Sequence, residues 1–197
     1  MLKNIRRLLK TFHDLPYLGR KTAERVVFSL LEADESKLRV LRDLISELSE
    51  KRTVCEVCNV ASSSSVCDVC ADAAREKILC IVENSKEYYK IELAGIFSGK
   101  YHVLGGLISP FQSKTFGELN TSNIRERIEK EGIKEVMIAL SPLPEGDITA
   151  SYIIDLLKGC DVEITKTAVG VPSGIFMENA DEITLKNAIT GRVRVKK

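Results

Sequence analysis

Apolar residues recur at helical spacing through the first fifty positions of the chain. Leu2, Ile5, Leu8, Leu9 and Phe12 form one stripe, Ala23, Val26, Val27, Leu30 and Leu31 a second, and Leu38, Leu41, Leu44, Ile45 and Leu48 a third. Three amphipathic helices follow from that periodicity. Beyond residue 76 the pattern changes: KILCIV (77–82) is a short apolar run rich in β-formers, followed by the helical SKEYYKIELAG, with Gly95 placed to end it. The alternation then repeats. YHVL (101–104) reads as a strand, TSNIRERIEKEG as a helix ending at Gly132, and EVMIAL (135–140) as a strand. DITASYIIDLLKG reads as a helix closing at Gly159, VEITKTAV (162–169) as a strand and DEITLKNAITG as a last helix. Strands alternating with helices at this spacing predict an α/β protein with a mostly parallel sheet and helices on both faces, preceded by an all-helical part. No internal repeat is present, and SSSS (62–65) is the one low-complexity patch.

The chain has 197 residues, 44% of them hydrophobic, enough to fill the core of one substantial domain or two modest ones. No apolar run approaches the roughly 18 residues that span a bilayer. The opening MLKNIRRLLKTFHD is charged and amphipathic, without the apolar block of a signal peptide, so a cytoplasmic protein with no membrane partner is expected. The net charge of +1 conceals an uneven distribution. Residues 1–32 carry seven Lys or Arg against three acids, and residues 190–197 carry four basic groups and no acid. Residues 55–189 carry thirteen basic and twenty acidic groups, a net −7. Basic ends suit a polyanion, although short charge runs also occur as ordinary solvated faces.

Cys55, Cys58, Cys67 and Cys70 form C-x2-C-x8-C-x2-C. Each CxxC can present two thiolates to one ion from a tight knuckle, and the spacer lets the second pair close a tetrahedron of the kind Zn²⁺ accepts. A redox centre needs one CxxC and leaves the second unexplained, and a reducing cytosol disfavours structural disulfides. One structural Zn²⁺ per chain is therefore expected. Four thiolates leave no position open for water or substrate, so the site would organise the chain and catalyse nothing. Cys80, inside a predicted strand, and Cys160 read as small buried hydrophobes.

In LPYLGRKTAERVV a turn containing Pro16 and Gly19 opens a helix near Arg20, and Lys21 and Arg25 fall four residues apart on one helix face. A helix N-terminus presents backbone N–H groups, and with adjacent cations it binds phosphate. The same residues also fit a plain helical turn bearing surface cations. Glu83 follows the first predicted strand, and Glu145 and Asp147 follow EVMIAL. Ligands bind at the carboxyl ends of parallel strands, so these acids could hold Mg²⁺ if they converge. Asp147 is also placed to cap a helix over 148–158. No GxxxxGK[ST] loop is present, and neither His13 nor His102 has a nucleophile arrangement near it in sequence.

Leu18, Gly19, Lys21 and Ala23 resemble the helix–hairpin–helix DNA-binding motif, with Tyr17 standing where its first Gly is usual. The strand-end Glu83 and the later Glu145-x-Asp147 resemble the Toprim domain of topoisomerases, primases and some nucleases, with Glu145 in place of the first Asp. Taken in order, the hairpin, the four-cysteine knuckle and the Toprim-like sheet are similar to the bacterial RecR family of recombination mediators. YHVLGGLISP (101–110) and GVPSGIFMENADEITLKNAITGR (170–192) resemble characteristic stretches of that family, the second departing at Phe176, Met177 and Asn179.

The resemblance implies a helix–hairpin–helix domain over 1–52, a zinc finger over 53–76, a Toprim domain over 77–169, and a C-terminal segment with a basic tail over 170–197. It implies a non-enzymatic protein of recombinational DNA repair, a dimer or tetrameric ring, that works with RecO and RecF to load recombinase on gapped DNA. Gly19, Arg20, Lys21 and Arg25 would then contact DNA, and Glu83, Glu145 and Asp147 would serve partner docking. Two alternatives stand beside it: a small Toprim nuclease using those acids with a divalent metal, and a zinc-knuckle adaptor that binds only proteins.

Overall fold

The architecture comes from a computed structural model, which describes residues 1–109 and 116–193. Pro110, which ends the YHVLGGLISP stretch, and Arg194, Lys196 and Lys197 of the basic tail lie outside the described residues. The chain divides into two compact units, Met1–Arg52 and Thr53–Lys197.

The first unit is helical: α1 spans Leu2–His13, α2 Arg20–Leu31 and α3 Glu35–Glu50. The first two pack together, and Ala23 and Val27 of α2 are buried. The third stripe does form a helix, but α3 buries no residue, and Leu38, Leu41, Leu44, Ile45 and Leu48 along it are exposed.

The second unit begins with a small antiparallel ribbon, β1 (Thr53–Val54) paired with β2 (Ala61–Ser62), and one helical turn, α4 (Asp68–Ala71). A four-stranded sheet follows, built from β3 (Ile78–Val82), β4 (Lys100–Val103), β5 (Glu135–Ala139) and β6 (Glu163–Lys166) in the spatial order β4-β3-β5-β6, all parallel. Helices α5 (Ser85–Ala94), α6 (Ile124–Glu131) and α7 (Pro144–Leu156) connect the strands, and α8 (Glu182–Thr190) comes last. Gly95 and Gly132 end α5 and α6 in the left-handed region, at φ 64° and 63°, as the sequence predicts.

Side chains alternate across a strand, so β3 feeds two separate cores. Leu79 and Ile81 point to one face, where Ile124 and Ile128 of α6 and Ala150 and Ile153 of α7 pack against them. Cys80 and Val82 point to the other, against Tyr88 of α5, Tyr101, and the buried Cys55, Cys58, Val60 and Cys67 of the ribbon segment. The cysteine segment is thus one cover of the sheet rather than an appendage. That explains why KILCIV is an unbroken apolar run instead of an alternating one. Burial pushes the Cys80 thiol up to about 12, with the Glu87 charge adding to it, so Cys80 behaves as a small apolar group. His102 is fully buried on β4, its Nε2 2.5 Å from Asn120 O, and burial draws its pKa down to about 4.

Two expectations are corrected. Helix α7 begins at Pro144, with Leu143 as its N-cap, so Asp147 lies inside the first turn and caps nothing. Proline suits the first helical position because its missing N–H has no partner there in any case. The helix can start so early because residue 146 is glycine: a Cβ at that position would lie 1.9 Å from Ser141 O. The final strand is also shorter than 162–169, pairing with β5 only from Glu163 to Lys166.

Candidate metal centre and nucleic-acid interface

Cys55 and Cys58 sit between the two strands of the ribbon, Cys67 precedes α4, and Cys70 lies within it. Folded this way, their four sulfur atoms all lie within 4.8 Å of one another, with Cys58 Sγ and Cys67 Sγ 3.6 Å apart. A Zn–S bond of about 2.3 Å gives a tetrahedron edge of about 3.8 Å, so the donor set fits Zn²⁺ in number, softness and spacing. The Cys67 N–H donates to Cys55 Sγ at 3.3 Å. Side-chain hydrogen bonds with Cys67 and Cys70, then burial, push the Cys58 thiol up, while the bonds with Cys58 and Cys70 pull Cys67 down. Thiols this close cannot all ionise unless a cation joins them.

A buried charge network lies beneath the site. Arg127, on α6, is 5% exposed; its Nη2 is 3.8 Å from Cys70 Sγ, its Nη1 donates to Tyr101 O at 2.6 Å, and its Nε donates to Glu131 Oε1 at 2.6 Å. Lys100 Nζ lies 3.0 Å from Glu131 Oε2, as an ion pair rather than a well-directed hydrogen bond, and donates to Cys70 O at 3.4 Å. Burial raises the Glu131 carboxyl, but the Arg127 and Lys100 charges outweigh it and hold it below the usual carboxylate range. Further bonds stitch the segment to the sheet unit: Val103 N–H to Cys58 O at 2.8 Å, Asn123 Nδ2 to Val57 O at 3.2 Å, and Tyr89 Oη to Ala61 O at 2.8 Å. Sequence reasoning missed Arg127 and Lys100. The available signal was Arg127 and Glu131 four apart in a helix with an apolar face.

The hairpin lies in the other unit. Gly19 is the N-cap of α2, at φ −64° and ψ 157°, and no side chain caps the helix. The N–H groups of Thr22 and Ala23 bond to Gly19 O, and those of Arg20 and Lys21 stand at the helix start outside that pair of bonds. A Cβ at Gly19 would meet nothing within 4 Å, so the backbone can be approached closely from outside. Arg20 pairs with Glu24 at 3.4 Å, whereas among the described residues no carboxylate forms an ion pair with Lys21 or Arg25, both exposed. A cleft of about 340 Å³ between α1 and α2 is lined by Leu9, Lys10, His13, Arg20, Ala23 and Glu24. Tyr17 adopts φ 68°, the left-handed conformation that glycine takes without penalty. An L-residue pays about 1–2 kcal/mol there.

The acids of the sheet unit sit where the strand order reverses, between β3 and β5. Glu83 follows β3 directly, and Ser141 Oγ donates to its Oε2 at 3.5 Å. Glu145 is half-buried in the first turn of α7, while the exposed Asp147 pairs with Lys166 Nζ of β6 at 3.0 Å. Among the described residues, the four cysteines are the one group of three or more metal-capable side chains whose ligand atoms come together; Glu83, Glu145 and Asp147 are not so gathered.

Residues 77–168 match the Toprim domain family. Over nearly its whole length the chain is similar to curated proteins named recombination protein RecR. The one from Bifidobacterium adolescentis is 40% identical over 189 residues, covering 95% of this chain and 94% of its own. The one from Natranaerobius thermophilus is 38% identical over 191 residues, covering 96% of each, and that from Cutibacterium acnes 36% over 192 residues, covering 97% and 96%. With that identity along both units, and the Toprim match falling on the parallel sheet, this chain belongs to the RecR family of recombination proteins.

Proposed function

We propose that the chain is a non-catalytic DNA-binding mediator of recombinational repair, holding gapped DNA by its hairpin and helping RecO- and RecF-type partners load recombinase. The observation that carries this reading is the uncapped start of α2, where Gly19 leaves the backbone open beside Arg20, Lys21 and Arg25. Amide donors beside exposed cations, of which Arg20 pairs with Glu24, suit phosphate oxygens, and such contacts hold DNA without reading its sequence. The four cysteines would hold one structural Zn²⁺, closed to substrate. Self-association, as a dimer or tetrameric ring, is supported by the apolar side chains that α3 leaves exposed. No helix among the described residues is long and apolar enough to cross a membrane, and the thiolate site suits the reducing cytoplasm to which we assign the protein.

Glu83, Glu145 and Asp147 would dock a protein partner rather than a catalytic Mg²⁺. Support for this comes from their separation and from the Lys166 partner of Asp147. The test is a titration of gapped duplex, in Mg²⁺, with wild type and a Glu83→Ala/Asp147→Ala variant. DNA affinity should be unchanged or slightly higher in the variant, because removing acids near a polyanion costs no attraction, and RecO binding should weaken. Mg²⁺-dependent cleavage by the wild type that the variant abolishes would instead establish a Toprim nuclease.

A further inference from the structure

Helix α1 carries Lys3, Arg6, Arg7 and Lys10 and no acidic residue. Spaced by three and four, these cations share an arc of about 100° on a helix of 3.6 residues per turn. The half-buried Ile5, Leu9 and Phe12 lie on the opposite side, and all four cations are exposed. Among the described residues none of the four forms an ion pair, whereas Arg20, Arg39, Arg42 and Lys51 of the same unit each meet a carboxylate. Nothing in the helix itself favours this pattern. Like charges three and four apart destabilise a helix, and Lys3 in the first turn opposes the helix dipole. A polyanion lying along the stripe would offset both penalties. The stripe also leads to the hairpin: Lys10, at its end, lines the cleft between α1 and α2 with His13 and Arg20, next to the uncapped start of α2. Glu24, the acid of that cleft, is engaged by Arg20.

We propose that Lys3, Arg6, Arg7 and Lys10 form a second phosphate-binding track, so that DNA held at the hairpin runs on along α1. The proposal rests on reading this unit as the DNA-binding part of the chain. From Lys3 to Lys10 the stripe extends about 10 Å along the helix axis. Each strand of a duplex carries roughly three phosphates over that length, so the cations match them in number. Such contacts read no bases, and affinity gained from them should not depend on DNA sequence. A basic helix can also lie on an anionic membrane with its apolar side in the lipid. In α1 that side, Ile5, Leu9 and Phe12, is half-buried within the protein, which favours nucleic acid.

The test is a salt titration of continuous duplex with the full chain and three variants. Arg6→Gln/Lys10→Gln removes two charges and keeps good helix formers. Its slope of log K against log salt should be shallower by about 2 for each subunit engaged. With one subunit engaged, its affinity at about 0.1 M salt should be roughly 60-fold lower, converging on wild type as salt rises. Its melting temperature should hold or rise, since repulsion within α1 is relieved. Arg6→Lys/Lys10→Arg, which keeps both charges, should bind like wild type; an equal loss there would assign the residues to the fold and overturn the proposal. Lys21→Ala/Arg25→Ala reports on the hairpin separately. A wild-type slope for Arg6→Gln/Lys10→Gln beside a shallower one for the hairpin variant overturns the α1 track and leaves the hairpin reading standing. The reverse pattern overturns the hairpin reading and keeps the track. Wild-type slopes in both overturn both. Unchanged DNA binding by Arg6→Gln/Lys10→Gln with lost binding to phosphatidylserine vesicles overturns the track in favour of a membrane surface, and with lost self-association in favour of a contact between copies.

Discussion

Cys58→Ser, or stripping the metal with a chelator, should cost the sheet-containing unit on the order of 4 kcal/mol or more, because a structural zinc site contributes its binding energy to folding. In a chain of this size that lowers the melting temperature by about 10 °C. The effect should reach beyond the knuckle itself. Cys55, Cys58, Val60 and Cys67 belong to the core that covers Cys80, Val82 and Tyr101 on one sheet face, so losing the knuckle uncovers that face. Elemental analysis of protein purified without added metal should give about one zinc per chain. Unchanged melting in excess chelator, with disulfides among the four cysteines found by mass spectrometry, would contradict the metal assignment.

Arg127→Met should also be damaging, at about 1–3 kcal/mol, because it leaves the half-buried Glu131 carboxylate with Lys100 alone and Tyr101 O without its donor. Methionine replaces the apolar stem but none of the donors to Glu131, Tyr101 O and Cys70 Sγ. Zinc should also be held more weakly, by the 10- to 100-fold typical of lost groups behind metal ligands. The acid limb gives a separate signature. Glu131 is held below its unfolded value, so its stabilising contribution is present above the unfolded pKa and is lost as pH falls through the folded one. In Arg127→Met the depression relaxes, and denaturation profiles from pH 7 to pH 3 should show the variant already destabilised at neutral pH, with a shallower further loss on acidification. A parallel profile, offset by nothing, would show that Arg127 is dispensable.

The elements easiest to read from sequence were those whose signals are local. Helical stripes, the Gly95 and Gly132 ends and the apolar run of β3 depend on neighbouring residues, and C-x2-C-x8-C-x2-C dictates its own convergence. Start signals at α7 compete: Asp147 resembles an N-cap, but Pro144 fits the first turn, and Gly146 lets the chain pass against Ser141 O. Nothing local discloses that clash. The ribbon pairs only two residues in each strand, too few for any alternation to register. Arg127 and Lys100 are joined to the cysteines only by the fold, and the Asp147–Lys166 pair depends on how β6 lies beside β5. Tyr17 was legible as a departure from the hairpin pattern; its left-handed backbone and exposure were not.

The central claim is that Lys21 and Arg25 hold DNA through phosphate, and the salt dependence of binding tests it most directly. Each lost phosphate contact on duplex DNA removes roughly 0.9 from the slope of log K against log salt. For Lys21→Ala/Arg25→Ala the account predicts a slope shallower by about 2 for each subunit engaged, with affinity reduced alike on unrelated sequences. An affinity and salt slope equal to wild type would contradict it, and would shift attention to the basic tail, Arg192, Arg194, Lys196 and Lys197.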